Sequence, residues 1–333
     1  MRTFAINGLG RIGRLVLREY VARKPSNIKL IGINDLTDID TLVYLTKYDS
    51  VHGRCRDDVT SNENSIMIGQ HNIPIFNYKT PDNIPWSESG VDWVLETSGR
   101  FTKREDAALH LKAGAKKVLI GAPADSADFC TIFGVNHMNY NSGSQHIISC
   151  GSCTTNSLAP PMQVLHSQFG IENASATTIH AYTSSQAVVD IASAKRIRGR
   201  AAALNLIPTS TGADKVIGSV FPDLKGKFSA LAVRAPIADG GLTDLTIRLK
   251  TGVSLDFLHQ TLINACHNEL KNVMDFTLEE WVSSDIIGNP HSAVIHGLST
   301  RLIDEKTVKL QVWYDNEYAY ACRMLDLLQH LPD

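Results

Sequence analysis

One glycine-rich motif near the N-terminus constrains the fold of this chain more than any other feature. The apolar segment Thr3–Asn7 reads as a strand, runs into GLGRIG at residues 8–13, and is followed by helically spaced apolar residues. A strand, a G-x-G-x-x-G turn and a helix open the βαβ unit that binds dinucleotides. Gly8 permits the tight turn, Gly10 lets the backbone approach a pyrophosphate, and Gly13 lets helix and strand pack closely. The context therefore predicts a dinucleotide-binding domain rather than three unrelated turn glycines.

An acidic residue follows the second predicted strand. Ile28–Ile33 is apolar, and Asp35 stands just beyond it, at the spacing expected for a ribose-binding carboxylate. Such a group accepts hydrogen bonds from both ribose hydroxyls and repels a 2′-phosphate, which favours NAD over NADP. Two later strand ends, at Ser98 and Gly121, carry small residues where a cofactor can approach.

The pattern of apolar segments divides the chain into two domains. In residues 1–152, strands alternate with helices, which predicts a parallel Rossmann sheet, with an antiparallel excursion over 57–78 and a strand at Thr131–Gly134. In residues 153–316, alternating strands predict an α+β catalytic domain with a mainly antiparallel sheet and a long loop at 182–200. The C-terminal helix at 317–333 is expected to pack back on the first domain.

Composition narrows the possible partners. The formal net charge of −2 gives no basic surface for nucleic acid. No signal-peptide pattern or apolar run of membrane-spanning length occurs, which favours a cytoplasmic protein without membrane contact. The six cysteines are sparse for the length, which fits a reducing compartment, and they lack the clustered spacing of a metal site.

Two cysteines in the segment ISCGSCTTN, Cys150 and Cys153, raise the question of catalytic chemistry. Cys153 precedes a helical pattern, where a thiol is expected to have a lowered pKa. His180 ends a predicted strand ahead of the long loop, so the two form a candidate nucleophile and base. Spacing alone leaves other interpretations open: a CxxC redox pair, or a buried cysteine with a core histidine.

Arginines and hydroxyl groups later in the chain suggest a second function for the same domain. Arg198 lies in the basic loop, Arg234 ends a strand, and Thr209–Gly212 offers hydroxyls and backbone N–H groups. Such groups bind phosphates, although a solvated basic loop would have the same composition.

These motifs together resemble phosphorylating glyceraldehyde-3-phosphate dehydrogenases over nearly the whole chain. The matching stretches, in the family's order and spacing, are INGLGRIGR, KYDSVHGR, SCTTN, HAYTSSQ, IPTSTGA and WYDNEY. The resemblance implies a homotetramer that uses NAD, glyceraldehyde 3-phosphate and inorganic phosphate. It implies that Cys153 attacks the aldehyde, that His180 serves as the base, and that a thioester is then cleaved by phosphate.

The resemblance also implies two sets of binding residues. Those expected at the cofactor are Gly8, Gly10, Arg11, Ile12, Asp35, Ser98, Gly121, Asn316 and Tyr320. Those expected at the substrate and attacking phosphate are Ser152, Thr154, Thr183, Arg198, Thr211, Gly212 and Arg234.

The chain departs from the family pattern at a few positions. Cys150 stands where relatives usually have asparagine, and Gly121 where a serine is familiar. Ala192 stands where NAD-specific members commonly have proline, which leaves NADP use open. The competing interpretations are erythrose-4-phosphate dehydrogenase, which hydrolyses its thioester, a CxxC thiol-redox protein, and a non-catalytic nucleotide sensor.

The first prediction concerns cofactor choice. We expect kcat/KM with NAD to exceed that with NADP, because the Asp35 carboxylate would face the 2′-phosphate. Steady-state kinetics with both cofactors at one substrate concentration measure the ratio. An equal or higher value with NADP would contradict the preference and would point instead to the loss of proline at Ala192.

Overall fold

The computed structural model describes residues 1–332 and divides into two compact units. Met1–Gly151 and the chain from Ala321 onward form the first unit, and Ser152–Tyr320 forms the second. These limits lie one and four residues from the boundaries expected after residues 152 and 316.

A largely parallel sheet forms the centre of the first unit. Its strands are β1 (Arg2–Asn7), β2 (Ile28–Asn34), β3 (Val59–Asn62), β4 (Ser65–Ile68), β5 (His71–Phe76), β6 (Trp93–Glu96), β7 (Lys117–Ile120), β8 (Phe129–Cys130) and β9 (Ile147–Ser149). The helices are α1 (Arg11–Arg23), α2 (Ile39–Lys47), α3 (Trp86–Ser89) and α4 (Arg104–Lys112). Strand order is β3-β4-β5-β2-β1-β6-β7-β9-β8, antiparallel from β3 to β5 and parallel from β5 onward. The predicted Rossmann-type sheet is confirmed.

The strand expected at Thr131–Gly134 is wrong. Strand β8 ends at Cys130, Thr131 still donates its N–H to the Ser149 carbonyl at 2.8 Å, and the following residues form a turn in which Gly134 has a φ of +84°. The Asn136 side chain explains the stop, because its Oδ1 accepts from the backbone N–H of Ile132 at 2.7 Å and its Nδ2 donates to the Cys130 carbonyl at 2.9 Å. Local side-chain bonds of this kind compete with strand pairing.

The second unit is built on a mixed sheet that is mostly antiparallel. Its strands are β10 (Ile171–Ala181), β11 (Ile207–Ser210), β12 (Phe228–Ala235), β13 (Gly241–Leu249), β14 (Met274–Thr277), β15 (Ala293–His296), β16 (Arg301–Asp304) and β17 (Thr307–Tyr314). The helices are α5 (Cys153–Phe169), α6 (Ala213–Val220) and α7 (Leu255–His267). The order is β11-β12-β10-β13-β17-β15-β14, with β16 beside β17, and only the β10–β12 and β14–β15 pairs are parallel. The mainly antiparallel sheet predicted for this region is confirmed.

The final helix, α8 (Tyr318–His330), begins in the second unit and continues in the first. Within the first unit, the Arg2 guanidinium donates to the Leu328 carbonyl and, at 2.6 Å, to the Leu331 carbonyl. Arg23 also forms an ion pair with Asp326, with 2.6 Å between Nη1 and Oδ1. These contacts attach the C-terminal helix to β1 and α1. No helix among the described residues is both long enough and apolar enough to span a membrane.

Gly13 gives the most local test of this fold. A Cβ at Gly13 would lie 2.2 Å from the Gly8 carbonyl oxygen, so we expect Gly13→Ala to lower the free energy of unfolding by about 1–3 kcal/mol. Gly10 is the matched control, because no atom lies within 4 Å of the equivalent Cβ, and Gly10→Ala should cost less than about 1 kcal/mol. Urea unfolding of both variants measures the difference. Equal losses would contradict the close packing at Gly13.

Candidate active site

A cavity of about 230 Å³ lies at the carboxyl ends of the parallel strands in the first unit. Its wall includes four residues that the sequence predicted for cofactor binding: Gly8, Gly10, Asp35 and Ser98. It also includes residues that sequence reasoning missed, among them Asn7, Asn34, Tyr78, Lys79, Thr97 and Arg100. Ligands of open α/β sheets bind at this edge, so the cavity has the position expected for a dinucleotide.

The glycine turn is held tightly to the neighbouring strand ends. Gly8 has a φ of +96°, and a Cβ there would lie 2.5 Å from the Ser98 Cα. The Asp35 carboxylate accepts from the backbone N–H of Leu9 at 2.6 Å and from that of Thr37 at 2.9 Å. Asp35 therefore fixes the turn to the end of β2 as well as lining the cavity.

The other residues predicted at the cofactor are distributed over both units. Arg11 and Ile12 form the first turn of α1, where the Arg11 side chain is paired with Asp49. Gly121 follows β7 and donates its N–H to the Glu96 carbonyl at 2.9 Å. None of these three lines the cavity described above.

Asn316 and Tyr320 belong to the second unit. Asn316 is 6% exposed, and its buried Oδ1 has no hydrogen-bond partner among the described residues. An unpaired buried acceptor of this kind fits the amide group of a ligand such as nicotinamide. The loop that carries it is held by Asp315, whose Oδ1 accepts from the N–H of Glu317 and of Tyr318 at 2.8 and 2.7 Å.

The central pair of the second unit is Cys153 and His180. Cys153 is the first residue of α5, and its Sγ lies 3.3 Å from Nε2 of His180, near the end of β10. Ser152 caps the helix: its Oγ accepts from the Thr155 N–H at 3.1 Å, and its own N–H donates to Thr155 Oγ1 at 2.7 Å. This capping box fixes the start of the helix and with it the thiol.

The far side of the His180 ring is fixed by a carbonyl and a guanidinium. Nδ1 lies 2.7 Å from the Ala181 carbonyl oxygen and 2.7 Å from Nη1 of Arg234, which itself donates to that carbonyl at 2.8 Å. A carbonyl only accepts, which favours the ring hydrogen on Nδ1, whereas a guanidinium only donates, which favours the ring hydrogen on Nε2. The form with its hydrogen on Nδ1 presents the Nε2 lone pair to the thiol, and it is the form that a general base requires.

The protonation of this pair differs from the sequence-based expectation. Burial raises the pKa of the Cys153 thiol to about 11, although the Arg234 guanidinium acts in the opposite direction. Burial, together with Arg234, lowers the pKa of His180 to about 4. The lowered thiol pKa expected from the helix start is therefore wrong, because loss of solvent outweighs the helix terminus. The resting pair is a neutral thiol beside a neutral imidazole.

Sequence reasoning missed Tyr314, which connects the elements that carry the pair. Tyr314 is 1% exposed, and its hydroxyl lies 2.6 Å from Thr178 Oγ1 on β10 and 3.3 Å from Thr154 Oγ1 on α5. Its ring packs edge-on against the His180 ring, with 5.9 Å between centroids. Tyr314 lies within the stretch WYDNEY, at the buried end of an alternating strand, and that position was the available signal.

Arg234 is one of the predicted phosphate ligands, and burial together with the charge of Arg198 lowers its pKa. Its Nε is buried and has no partner among the described residues. Arg198 Nε donates to Thr209 Oγ1 at 3.1 Å, and Thr211 Oγ1 accepts from the Ala213 N–H at 3.2 Å, just after Gly212. These contacts hold the side chains in place.

Two other predicted phosphate ligands make contacts of different kinds. Thr183 begins the long loop, and its hydroxyl contacts Ser185 at 2.8 Å. Thr154 is buried against Tyr314, so its contact with a phosphate stays a prediction.

Cys150 lies in the first unit, directly after β9, and its side chain has no exposed surface. Its backbone N–H donates to the Ile120 carbonyl at 3.0 Å. Burial of this kind is typical of a cysteine that acts as a small apolar core residue.

Comparison with known proteins connects both units to one family. Residues 2–104 match the family described as glyceraldehyde 3-phosphate dehydrogenase, NAD binding domain, and residues 152–316 match its C-terminal domain. Glyceraldehyde-3-phosphate dehydrogenase of Geobacillus stearothermophilus is 45% identical, with 98% of this chain and 97% of the relative covered. Glyceraldehyde-3-phosphate dehydrogenase 1 of Bacillus cereus is 43% identical, with 99% and 98% covered, and the Chlamydia pneumoniae protein is 43% identical, with 98% and 97% covered. The resemblance read from the sequence motifs is confirmed.

Arg234 gives a test of the electrostatics at the thiol. Its positive charge lowers the pKa of Cys153, so Arg234→Leu should raise that pKa and reduce the thiolate fraction at any pH below it. We expect alkylation of Cys153 by the neutral reagent iodoacetamide to be several-fold slower at about pH 8, with the two rates converging at high pH. Arg200→Leu, which removes an exposed arginine paired with Asp190, is the control and should leave the rate unchanged. Faster alkylation of Arg234→Leu would contradict the assignment.

Proposed function

The chain belongs to the glyceraldehyde-3-phosphate dehydrogenase family, and from this premise we propose that it oxidises and phosphorylates glyceraldehyde 3-phosphate to 1,3-bisphosphoglycerate. The observation that carries the proposal is the contact of 3.3 Å between Cys153 Sγ and His180 Nε2 at a capped helix start. NAD is the cofactor of this family's N-terminal domain, which matches residues 2–104. We place the activity in glycolysis and the protein in the cytoplasm, where that substrate is metabolised.

The first step is the attack of Cys153 on the aldehyde carbon. Because the resting thiol is neutral, its proton passes to the unprotonated Nε2 of His180 as the C–S bond forms. The proposed tautomer carries its ring hydrogen on Nδ1, which lies 2.7 Å from the Ala181 carbonyl oxygen. The imidazolium then returns this proton to the former aldehyde oxygen, so the product is a thiohemiacetal on Cys153 beside an unprotonated His180.

The second step converts the thiohemiacetal into a thioester. NAD, when bound, supplies the acceptor for the hydride that leaves the substrate carbon. His180 takes the hydroxyl proton, so the carbonyl forms as the hydride leaves and the charges balance. Asn316 would hold the cofactor amide through its unpaired Oδ1, and Asp35 would hold a ribose.

The third step is attack of inorganic phosphate on the thioester, which releases Cys153 and the acyl phosphate. The buried, unpaired Nε of Arg234 supports an anion beside the catalytic pair. In this proposal Thr183 and Arg234 bind the substrate's C3 phosphate. The attacking phosphate meets Ser152, Thr211 and Gly212, with charge from Arg198 and Arg234.

The assembly that we propose is a homotetramer. Apolar side chains of the second unit are exposed over the long loop and the segment after it, with 85% of Val188, 83% of Leu204 and 68% of Leu206 accessible. A further copy of the chain is the occupant that this family membership implies. Covering these side chains would remove exposed apolar surface from water.

Dependence of turnover on phosphate tests the function. We expect NADH formation from glyceraldehyde 3-phosphate to continue only when inorganic phosphate is present, because phosphate releases the acyl group from Cys153. Cys153→Ser is the control and should abolish turnover while leaving NAD binding near the wild-type level. Turnover that is unaffected by phosphate would support thioester hydrolysis, as in erythrose-4-phosphate dehydrogenase. Absence of turnover would contradict the proposed reaction altogether.

A further inference from the structure

A buried carboxylate at the end of β6 has no role in the chemistry described above. Glu96 closes the apolar strand WVLE and is 1% exposed. Isolated buried carboxylates are strongly unfavourable, so the groups that compensate this one show what it does.

A tryptophan and a histidine fix one side of the carboxylate. Trp86 Nε1 donates to His110 Nδ1 at 3.0 Å, and an indole N–H can only donate. His110 Nδ1 is therefore the acceptor, and the ring hydrogen lies on Nε2. Nε2 then donates to Glu96 Oε2 at 3.1 Å.

The remaining donors come from the wall of the dinucleotide cavity. Asn7 Nδ2 donates to Glu96 Oε2, and Ser98 donates to Oε1 from its backbone N–H at 2.8 Å and from its hydroxyl. Together with His110, these groups direct four hydrogen bonds at the two carboxylate oxygens. Only an acceptor-only side chain satisfies all four.

The same network continues across the strand ends. Asn7 Oδ1 accepts from Asn34 Nδ2 at 2.8 Å, and Asn34 Oδ1 accepts from the Tyr78 N–H at 2.8 Å. Asn7, Asn34, Tyr78 and Ser98 all line the cavity. One buried carboxylate thus connects the ends of β6, β1 and β2 to the segment after β5.

We infer that Glu96 is a positioning residue for dinucleotide binding, which rests on the proposed use of NAD. Glu96 holds Ser98 so close to Gly8 that a Cβ on Gly8 would not fit. It also orients the amide of Asn7, and through it that of Asn34, along the cavity wall. Glu96 itself does not line the cavity, so it acts through these neighbours.

Glu96→Gln tests this role, because the shape is kept while one acceptor becomes a donor. At least one of the four donors is then left without an acceptor, and Ser98 or Asn7 must move. We expect the NAD dissociation constant, measured by calorimetry, to rise about tenfold. The KM for NAD should rise with it, while kcat at saturating NAD stays within about twofold.

Asp92→Asn is the matched control. Asp92 precedes β6, at the other end of the strand from Glu96. It accepts from the Thr3 N–H at 2.8 Å and from the Thr3 hydroxyl at 2.9 Å. It should lower the melting temperature without changing NAD affinity. Equal losses of NAD affinity in the two variants would show a general effect of destabilising the sheet and would overturn the inference. So would NAD affinity in a folded Glu96→Gln variant that matches the wild type.

A second pair of variants keeps the test decisive if Glu96→Gln does not fold. His110→Gln retains a donor toward Glu96, whereas His110→Leu removes it. We expect only His110→Leu to weaken NAD binding, and equal affinities would contradict the network. Failure of the wild-type chain to bind NAD would refute the proposed function and this inference together, whereas normal wild-type binding with unaffected variants would refute the inference alone.

Discussion

The proposed chemistry depends on the meeting of Cys153 and His180, which come from the start of a helix and the end of a strand. Other residues hold the Cys153 thiol and the His180 ring in position. The Ser152–Thr155 capping box sets the first turn of α5, and the Ala181 carbonyl and Arg234 both contact Nδ1 of the imidazole. The Tyr314 hydroxyl connects the two elements by contacting Thr154 on α5 and Thr178 on β10. A small shift in any of these supports would separate sulfur from nitrogen.

Burial governs the protonation of this pair. It leaves the thiol neutral and the imidazole unprotonated, and the base is then ready to accept a proton as the C–S bond forms. Arg234 lowers the pKa of both groups, which aids loss of the thiol proton but opposes its retention on the ring. The same guanidinium keeps an unpaired Nε for an anion. The proposed phosphate site therefore shares Arg234 with the electrostatics of the nucleophile.

The first unit also holds its strand ends in place, through hydrogen bonds to carboxylates. Three strands end in polar side chains, and Glu96 and Asp35 each accept several hydrogen bonds there. Asp35 accepts from the N–H of Leu9 and Glu96 from that of Ser98, next to the point where Gly8 approaches Ser98 too closely for a Cβ.

Local patterns in the sequence were enough for most of the architecture. The helix Arg11–Arg23 and the antiparallel excursion of β3–β5 follow directly from apolar spacing and turn residues. The prediction of a strand at Thr131–Gly134 was wrong because hydrogen bonds from the Asn136 side chain end the pairing. The prediction of a lowered pKa for Cys153 was wrong because desolvation depends on the residues packed around the thiol, which sequence spacing does not reveal.

The supporting residues were the hardest part to foresee. Tyr314 contacts Thr178 and Thr154 across 136 and 160 residues of chain, and Glu96 contacts Asn7 across 89. A carboxylate at the end of an otherwise apolar strand was the one local sign of the Glu96 network.

Intact mass spectrometry of the acylated chain tests the central claim most directly. After the protein is mixed with glyceraldehyde 3-phosphate and NAD without phosphate, the account predicts a 3-phosphoglyceroyl group on Cys153, which added phosphate removes as 1,3-bisphosphoglycerate. Peptide mapping that found no acyl group on Cys153, or an acyl group that water releases as fast as phosphate does, would contradict it.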